Sequence, residues 1–196
     1  LVDESEEESM LTVADLRKGM KFIKDGHPYT VVEFLFVKPG KGQGLYKCKI
    51  RNLISGSQYE ETYRSGETFL EADVEERRMQ YLYQEEDRYC FMDNTNYEQI
   101  YIEADALGDD RLYLSDNLPV DVLLFEGRPI GCKLPNFVEL QITECEPGIR
   151  GDTATGAQKP ARLSTGALLQ VPLFVNDGEW IKIDTRTYSY VERVKK

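Results

Sequence analysis

The chain has 196 residues, 41% hydrophobic and 30% charged, with 24 Lys and Arg against 35 Asp and Glu for a formal net charge of −11. That size fits one large domain or two to three small ones of ordinary soluble composition. No apolar run approaches the roughly 18 residues of a membrane span, so a cytoplasmic protein with no membrane contact is expected.

Residues 1–10 hold five acidic side chains and no apolar core, which excludes a signal peptide and predicts an acidic disordered leader. Met10 is expected to mark where the compact protein begins. Thr12–Leu16 has a helical look and stops at Gly19. Lys21–Lys24 and Tyr29–Val37 then read as a hairpin across Asp25-Gly26-His27-Pro28. His27 reads as a surface turn residue rather than a catalytic base. Leu45–Ile54 and Gln58–Arg64 follow, separated by Ser55-Gly56-Ser57, and close a barrel of four or five strands over residues 11–72.

Within that barrel, Val37-Lys38-Pro39-Gly40-Lys41-Gly42-Gln43-Gly44 joins two strands by a loop longer than the usual ~2–5 residues of a hairpin. Pro39 stiffens the approach, and Gly40 and Gly42 leave Lys41 as a lone cation on a bare tip. No acidic residue occurs from Phe34 to Tyr59, whereas Lys38, Lys41, Lys47, Lys49 and Arg51 are basic. A protruding cation above a basic sheet suits a recessed, negatively charged target. The bland alternative is a solvated turn with an incidental lysine.

A boundary falls near Phe69–Asp73. Val74–Gln84, Tyr89–Asp93, Tyr97–Ile102, Val120–Phe125 and Ile130–Leu134 read as short strands, with a helical turn over Glu103–Leu107. This pattern predicts an oligonucleotide-binding (OB) type barrel over residues 73–135. Leu134-Pro135-Asn136 is the next hinge. Phe137–Cys145, Leu168–Val175, Trp180–Thr185 and Tyr188–Val194 predict a third small β unit over residues 136–196. Its loop from Glu146 to Lys159 reads either as a compact connector or as a hydrogen-bonding edge for RNA.

The net charge is uneven. Residues 11–72 carry 10 basic against 7 acidic side chains, residues 73–135 carry 6 against 15, and residues 136–196 carry 8 of each. Phosphate contacts depend on where cations cluster. The first third is therefore expected to approach RNA, and the middle third to stay off it or to touch it only at its edges. Cys48, Cys90, Cys132 and Cys145 form no C-x-x-C pair and read as reduced structural thiols. With one histidine, neither a zinc site nor Ser–His catalysis has its residues. The glycine-rich loop fits neither a dinucleotide fingerprint nor a Walker A motif. No catalytic residue, metal or cofactor is expected.

The motifs resemble the bacterial elongation factor P family. Val37-Lys38-Pro39-Gly40-Lys41-Gly42-Gln43 is similar to that family's first-domain loop. Asn136-Phe137-Val138-Glu139-Leu140, Gly151-Asp152-Thr153-Ala154, Lys159-Pro160-Ala161, Ser164-Thr165-Gly166-Ala167, Val171-Pro172-Leu173-Phe174-Val175 and Ile183-Asp184-Thr185-Arg186-Thr187 resemble its C-terminal signature. Tyr81-Leu82-Tyr83 and Phe91-Met92 agree in the middle. The resemblance covers about residues 11–196.

It implies an all-β fold of three small β-barrel domains, an SH3/KOW-like N-terminal domain followed by two OB-fold domains, in an elongated shape like that of a tRNA. It implies a monomeric translation factor, not an enzyme. Such a factor binds the ribosome between the peptidyl and exit tRNA sites and promotes peptide-bond formation at consecutive prolines, with peptidyl-tRNA as partner. Lys41 corresponds to the lysine modified in many members. It carries a β-lysyl group, another alkyl extension or none, and a lysine-modifying enzyme is a partner in the first two cases. Gly151, Asp152 and Thr153 correspond to the loop facing the exit-site codon. Gly44 and Leu45-Tyr46 replace a common small residue and Phe, Arg162 replaces a common Thr, and Tyr188-Ser189 replaces a frequent glycine-containing turn. The competing reading is an RNA-binding or ribosome-assembly adaptor without stall-rescue activity.

Overall fold

The computed structural model describes residues 10–38, 40, 42, 44–146 and 157–196. Their contacts group into two compact units, the chain up to Arg77 with Leu123–Gly131, and Arg78–Val122 with Cys132–Lys196. The described residues build three sheets and almost no helix, as the short alternating segments predict.

The first sheet contains β1 (Met10–Thr12), β2 (Lys21–Lys24), β3 (His27–Val37), β4 (Leu45–Asn52), β5 (Gln58–Arg64) and β6 (Thr68–Glu71), in the order β1-β6-β2-β3-β4-β5. Asp25 and Gly26 both have positive φ, at 52° and 76°, the backbone of a two-residue turn whose twist matches a hairpin. Along β4, Cys48, Ile50 and Asn52 are buried while Lys47 and Arg51 are exposed, so the two-residue period selects the core face. Val13, Leu16, Phe22, Val31, Cys48, Ile50 and Tyr63 form that core. The sheet curls until its distant strands meet. The Tyr63 ring on β5 lies 4.9 Å from Phe69 on β6, and Phe69 lies 4.9 Å from Phe22 on β2. The Lys24 ammonium and the Tyr63 hydroxyl both donate to Glu61 Oε2, at 2.5 and 3.0 Å. Burial, then the adjacent Glu61 carboxylate, pushes the Tyr63 phenol far above its ordinary range.

Two features differ from the reading of the sequence, the turn over Thr12–Leu16 and the number of strands. Thr12–Leu16 is a strand end and turn: the Val13 N–H goes to the Glu67 carbonyl at 2.8 Å, and the Asp15 and Leu16 N–H groups pair three residues back, with Thr12 and Val13, at 2.9 and 3.3 Å. That spacing is a tight turn, not the four-residue pairing of an α-helix. Met10, expected to mark where the compact protein begins, stands in β1 opposite Leu70. The sheet has six strands, since Thr68–Glu71 at the expected boundary pairs with both β1 and β2.

The middle sheet contains β7 (Val74–Glu85), β8 (Arg88–Met92), β9 (Gln99–Glu103), β10 (Pro119–Phe125) and β11 (Arg128–Lys133), in the order β11-β10-β7-β8-β9. The expected helical turn is α1 (Ala104–Leu107), continued by a 3-10 helix over Gly108–Tyr113. Glu126 and Gly127, at φ 50° and 72°, repeat the turn geometry of Asp25-Gly26.

The third sheet contains β12 (Phe137–Cys145), β13 (Gln158–Leu163), β14 (Leu168–Pro172), β15 (Trp180–Asp184) and β16 (Ser189–Val194), in the order β14-β13-β12-β15-β16. β12 pairs with β15 over Phe137–Gln141 and with β13 over Ile142–Cys145, with a bulge at the change on the β13 side. β13 is unanticipated because Pro160 interrupts a run that otherwise alternates, with Lys159, Ala161 and Leu163 turned inward.

The 3-10 helix packs against this third sheet. Tyr113 lies in its core with Leu140, Ile183 and Val171. The Thr165 hydroxyl donates to the Leu112 carbonyl at 2.5 Å. The Tyr188 ring stacks on Tyr113 with centroids 4.8 Å apart, and its hydroxyl donates to Asp110 Oδ1 at 2.6 Å. Tyr188 has φ +50°, a conformation that suits glycine and strains a larger residue by roughly 1–2 kcal/mol. An aromatic stack contributes about 0.5–1.5 kcal/mol and a hydrogen bond to a charged group about 1.5–3 kcal/mol. Contact outweighs strain, which accounts for a tyrosine at a left-handed position. Tyr188→Gly is therefore expected to lower unfolding stability by about 1–2 kcal/mol despite relieving the backbone, and urea denaturation measures it.

Candidate functional site

β3 and β4 pair continuously from Tyr29↔Asn52 to Val37↔Leu45, with one bulge between Val31 and Glu33. This ladder carries the loop after Val37. β2 pairs with β3 only over His27–Thr30, and the Gly19 and Met20 backbone reaches Val31. Beyond that point β3 is a sheet edge among the described residues.

Two faces follow from the register. On the inner face, Phe34 lies 5.6 Å from Tyr46 and Phe36 lies 4.8 Å from Tyr46, between ring centroids. The Arg17 guanidinium sits 5.6 Å over the Phe34 ring and donates to the Ala14 and Leu16 carbonyls. The Phe36 ring also covers Gly44. A Cβ built on Gly44 would stand 2.4 and 2.7 Å from ring carbons of Phe36. Glycine at 44 thus allows the close approach of an aromatic ring at the base of the loop, which any side chain there would displace.

The outer face carries Lys47, Lys49 and Arg51 in one line along β4. Their neighbours are Leu35 and Thr62 beside Lys47, Glu33 and Glu60 beside Lys49, and Thr30 and Gln58 beside Arg51. Lys49 Nζ lies 3.8 Å from Glu33 Oε1. The strip is less basic than the linear run from Phe34 to Tyr59 implies, because two carboxylates just outside that run fold back beside its middle lysine. Lys47 and Arg51 are exposed and form no ion pair among the described residues. Lys38, Gly40 and Gly42 are exposed. Pro39, Lys41 and Gln43 lie outside the described residues, as do Gly151, Asp152 and Thr153.

The stems of the C-terminal loop are described. The Cys145 N–H donates to Asp177 Oδ1 at 2.6 Å, and the Glu146 N–H donates to the Pro160 carbonyl at 3.1 Å. Cys145, Glu146, Lys159, Asn176 and Asp177 line a small open hollow there. Burial raises the Cys145 thiol, against the opposing pull of the Lys159 ammonium. Among the described residues no group of three or more His, Cys, Asp or Glu side chains is placed to hold a metal ion, and no helix is long and apolar enough to cross a membrane. The reading of the sequence missed Glu33, Glu60 and the Phe36–Gly44 contact. The first two needed the strand register, and the third needed the ring's direction.

Three family models match successive parts of the chain. They are the elongation factor P KOW-like domain over residues 12–69, the elongation factor P OB domain over 74–132, and the elongation factor P C-terminal region over 138–193. Elongation factor P of Syntrophus aciditrophicus is 53% identical over 186 residues, covering 95% of this chain and all of that protein. Elongation factor P of Desulfosudis oleivorans is 54% identical over 187 residues, and elongation factor P 2 of Geobacter sulfurreducens 54% over 186, each with the same coverage. Among solved structures, eukaryotic translation initiation factor 5A from Methanococcus jannaschii superposes with a TM-score of 0.51 at 19% identity. That likeness of fold covers 66% of this chain and 96% of the other. The fold is thus an SH3/KOW-like barrel followed by two OB-type barrels.

Gly44→Ala is expected to push the Phe36 ring toward solvent. That ring is half exposed, so the cost in stability is within about 1 kcal/mol. NMR should show displaced Phe36 and Tyr46 ring resonances at a nearly unchanged unfolding midpoint; unmoved rings would contradict the contact.

Proposed function

The chain belongs to the elongation factor P family, a family of translation factors, and from that premise we propose its specific task. It binds the ribosome between the peptidyl and exit tRNA sites and promotes peptide-bond formation at consecutive-proline stalls. It does so by positioning the acceptor end of the peptidyl-tRNA. Its domains are 11–72, 73–135 and 136–196, following the acidic residues 1–10, and it acts as a cytoplasmic monomer.

The observation that supports this reading is the β3–β4 ladder, which carries Lys38-Pro39-Gly40-Lys41-Gly42-Gln43 beside a face bearing Lys47 and Arg51. Proline is a poor nucleophile and a rigid donor, so its slow step responds to orientation. A tenfold to hundredfold rescue needs only roughly 1.4–2.7 kcal/mol of barrier reduction, within reach of positioning alone. A slender cationic tip supplies that without doing chemistry, and the reacting groups stay on the ribosome and its tRNAs. Lys41 is the group at the acceptor end, bare or extended by a lysine-modifying enzyme. Lys47, Lys49 and Arg51 contact phosphate, and Gly151, Asp152 and Thr153 face the exit-site codon. Short polar side chains and glycine let a loop approach base edges closely, and an Asp accepts from base amino groups while repelling phosphate.

Lys41→Ala is expected to abolish rescue of a Pro-Pro-Pro reporter, with unfolding stability within about 0.5 kcal/mol of the parent. Normal rescue would overturn the role and favour the assembly-adaptor reading. Lys47→Ala and Arg51→Ala should each weaken ribosome binding and reduce the salt dependence by about one ion. Lys49→Ala should change it less, because Glu33 already balances that charge. Titration of ribosome binding at several salt concentrations separates the three, and slopes unchanged from the parent in Lys47→Ala and Arg51→Ala would remove both residues from the interface.

A further inference from the structure

The solvent-side face of β7, β8 and β9 carries a built array that the proposed function does not use. Cross-strand register places Tyr83, Cys90 and Tyr101 in one row, and Glu85, Arg88 and Glu103 in the next. The two tyrosine hydroxyls meet at 3.2 Å. Cys90 has no exposed surface although it points away from the aromatic core of Tyr81 and Phe91. Tyr83 is 44% exposed and Tyr101 36%, so both reach the surface.

Arg88 shows what such a surface takes. Its guanidinium carbon lies 5.1 Å over the Tyr101 ring centroid, and its Nη2 donates to Glu85 Oε2 at 3.1 Å. A guanidinium stacked on tyrosine and held by a carboxylate is thus realised on this face by the chain's own residue. Half of the array is left over. Tyr83 has no cation on its ring among the described residues. Glu103 is exposed, forms no ion pair there, and makes no side-chain bond to the helix turn that it precedes.

This sheet face of an OB-type barrel commonly takes oligonucleotides, but here charge opposes that. Residues 73–135 hold 15 acidic against 6 basic side chains, and stacked bases bring phosphates with them. The same carboxylates attract a cationic polypeptide. Arginine fits better than lysine because its plane stacks on tyrosine while its edge meets a carboxylate.

We propose that the outer face of β7–β8–β9, through Tyr83 and Glu103 beside the Arg88–Tyr101 stack, docks an arginine-bearing segment of a basic protein. The inference is independent of the tip-loop reading. The test uses the full chain and a fluorescent ten-residue peptide with four arginines among glycine and serine. The same peptide with four lysines and a ten-nucleotide oligouridine serve as controls. Fluorescence anisotropy is expected to show the arginine peptide binding about fivefold tighter than the lysine peptide. Tyr83→Leu with Tyr101→Leu, which leaves net charge unchanged, should erase that preference. Glu103→Gln should weaken the arginine peptide about two- to threefold. Equal affinity for the two peptides overturns the proposal, as does a preference that survives the double substitution, or NMR shifts of both tyrosine rings with oligouridine rather than peptide. Should uncovering Cys90 unfold the double variant, an unchanged affinity in Glu103→Gln still overturns it.

Discussion

The exposed edge of β3 beyond Val31 is the constraint on which the first barrel's functional end depends. A strand with one neighbour presents unpaired N–H and C=O groups to water and to other chains. A hairpin held by its own ladder alone is marginal. Here β4 is backed by β5 down to the last pair, Leu45↔Arg64, so of the two strands that carry the loop only β3 is an edge among the described residues. The bulge at Val31–Glu33 twists that strand where it loses β2. Glu33 places a charge on the edge, and Arg17 lies over Phe34. Each device contributes no more than about 1 kcal/mol, yet together they let an edge strand project a loop without inviting a foreign strand.

Register, not composition, decides the electrostatics of the same sheet. Counting along the chain gives an uninterrupted basic run between Glu33 and Glu60. Folding turns both of those residues back beside Lys49, one at ion-pair distance. The alternation of Lys47, Lys49 and Arg51 onto one face was legible, because a two-residue period is a property of any strand. Which carboxylates join them was not, because it depends on where β3, β4 and β5 align and on a bulge that shifts the register. The middle barrel shows the converse. Its acidity is plain in the sequence, but the Tyr83–Cys90–Tyr101 row crosses three strands, again with a bulge in β7.

The same distinction explains the fold as a whole. Hairpins whose turns demand positive φ, Asp25-Gly26 and Glu126-Gly127, announce themselves in the residues. Phe137–Cys145 is legible to the residue because Val138, Leu140 and Ile142 alternate without interruption. Gln158–Leu163 is hidden by Pro160, which lacks the N–H of an ordinary ladder residue. Thr68–Glu71 is hidden by brevity, since four residues barely define a period. Thr12–Leu16 has helical spacing, but Thr12 pairs with Thr68 and the Val13 N–H with the Glu67 carbonyl, a tertiary choice that local propensity does not contain.

Two positions exchange glycine and aromatic character, and the exchange has one physical logic. At Tyr188 the chain accepts left-handed strain to seat a ring on Tyr113, fastening the 3-10 helix to the third sheet. At Gly44 it gives up a side chain so that the Phe36 ring can lie against the backbone at the root of the tip loop. On the positioning reading, the gain available is small, so motion at that root matters. A root distributed over three equally populated orientations, one productive, forfeits a factor of three, about 0.65 kcal/mol, from an effect of roughly 1.4–2.7 kcal/mol. Ring-over-glycine packing therefore belongs beside the last strand pair, Val37↔Leu45, where it restricts the base from which the loop departs.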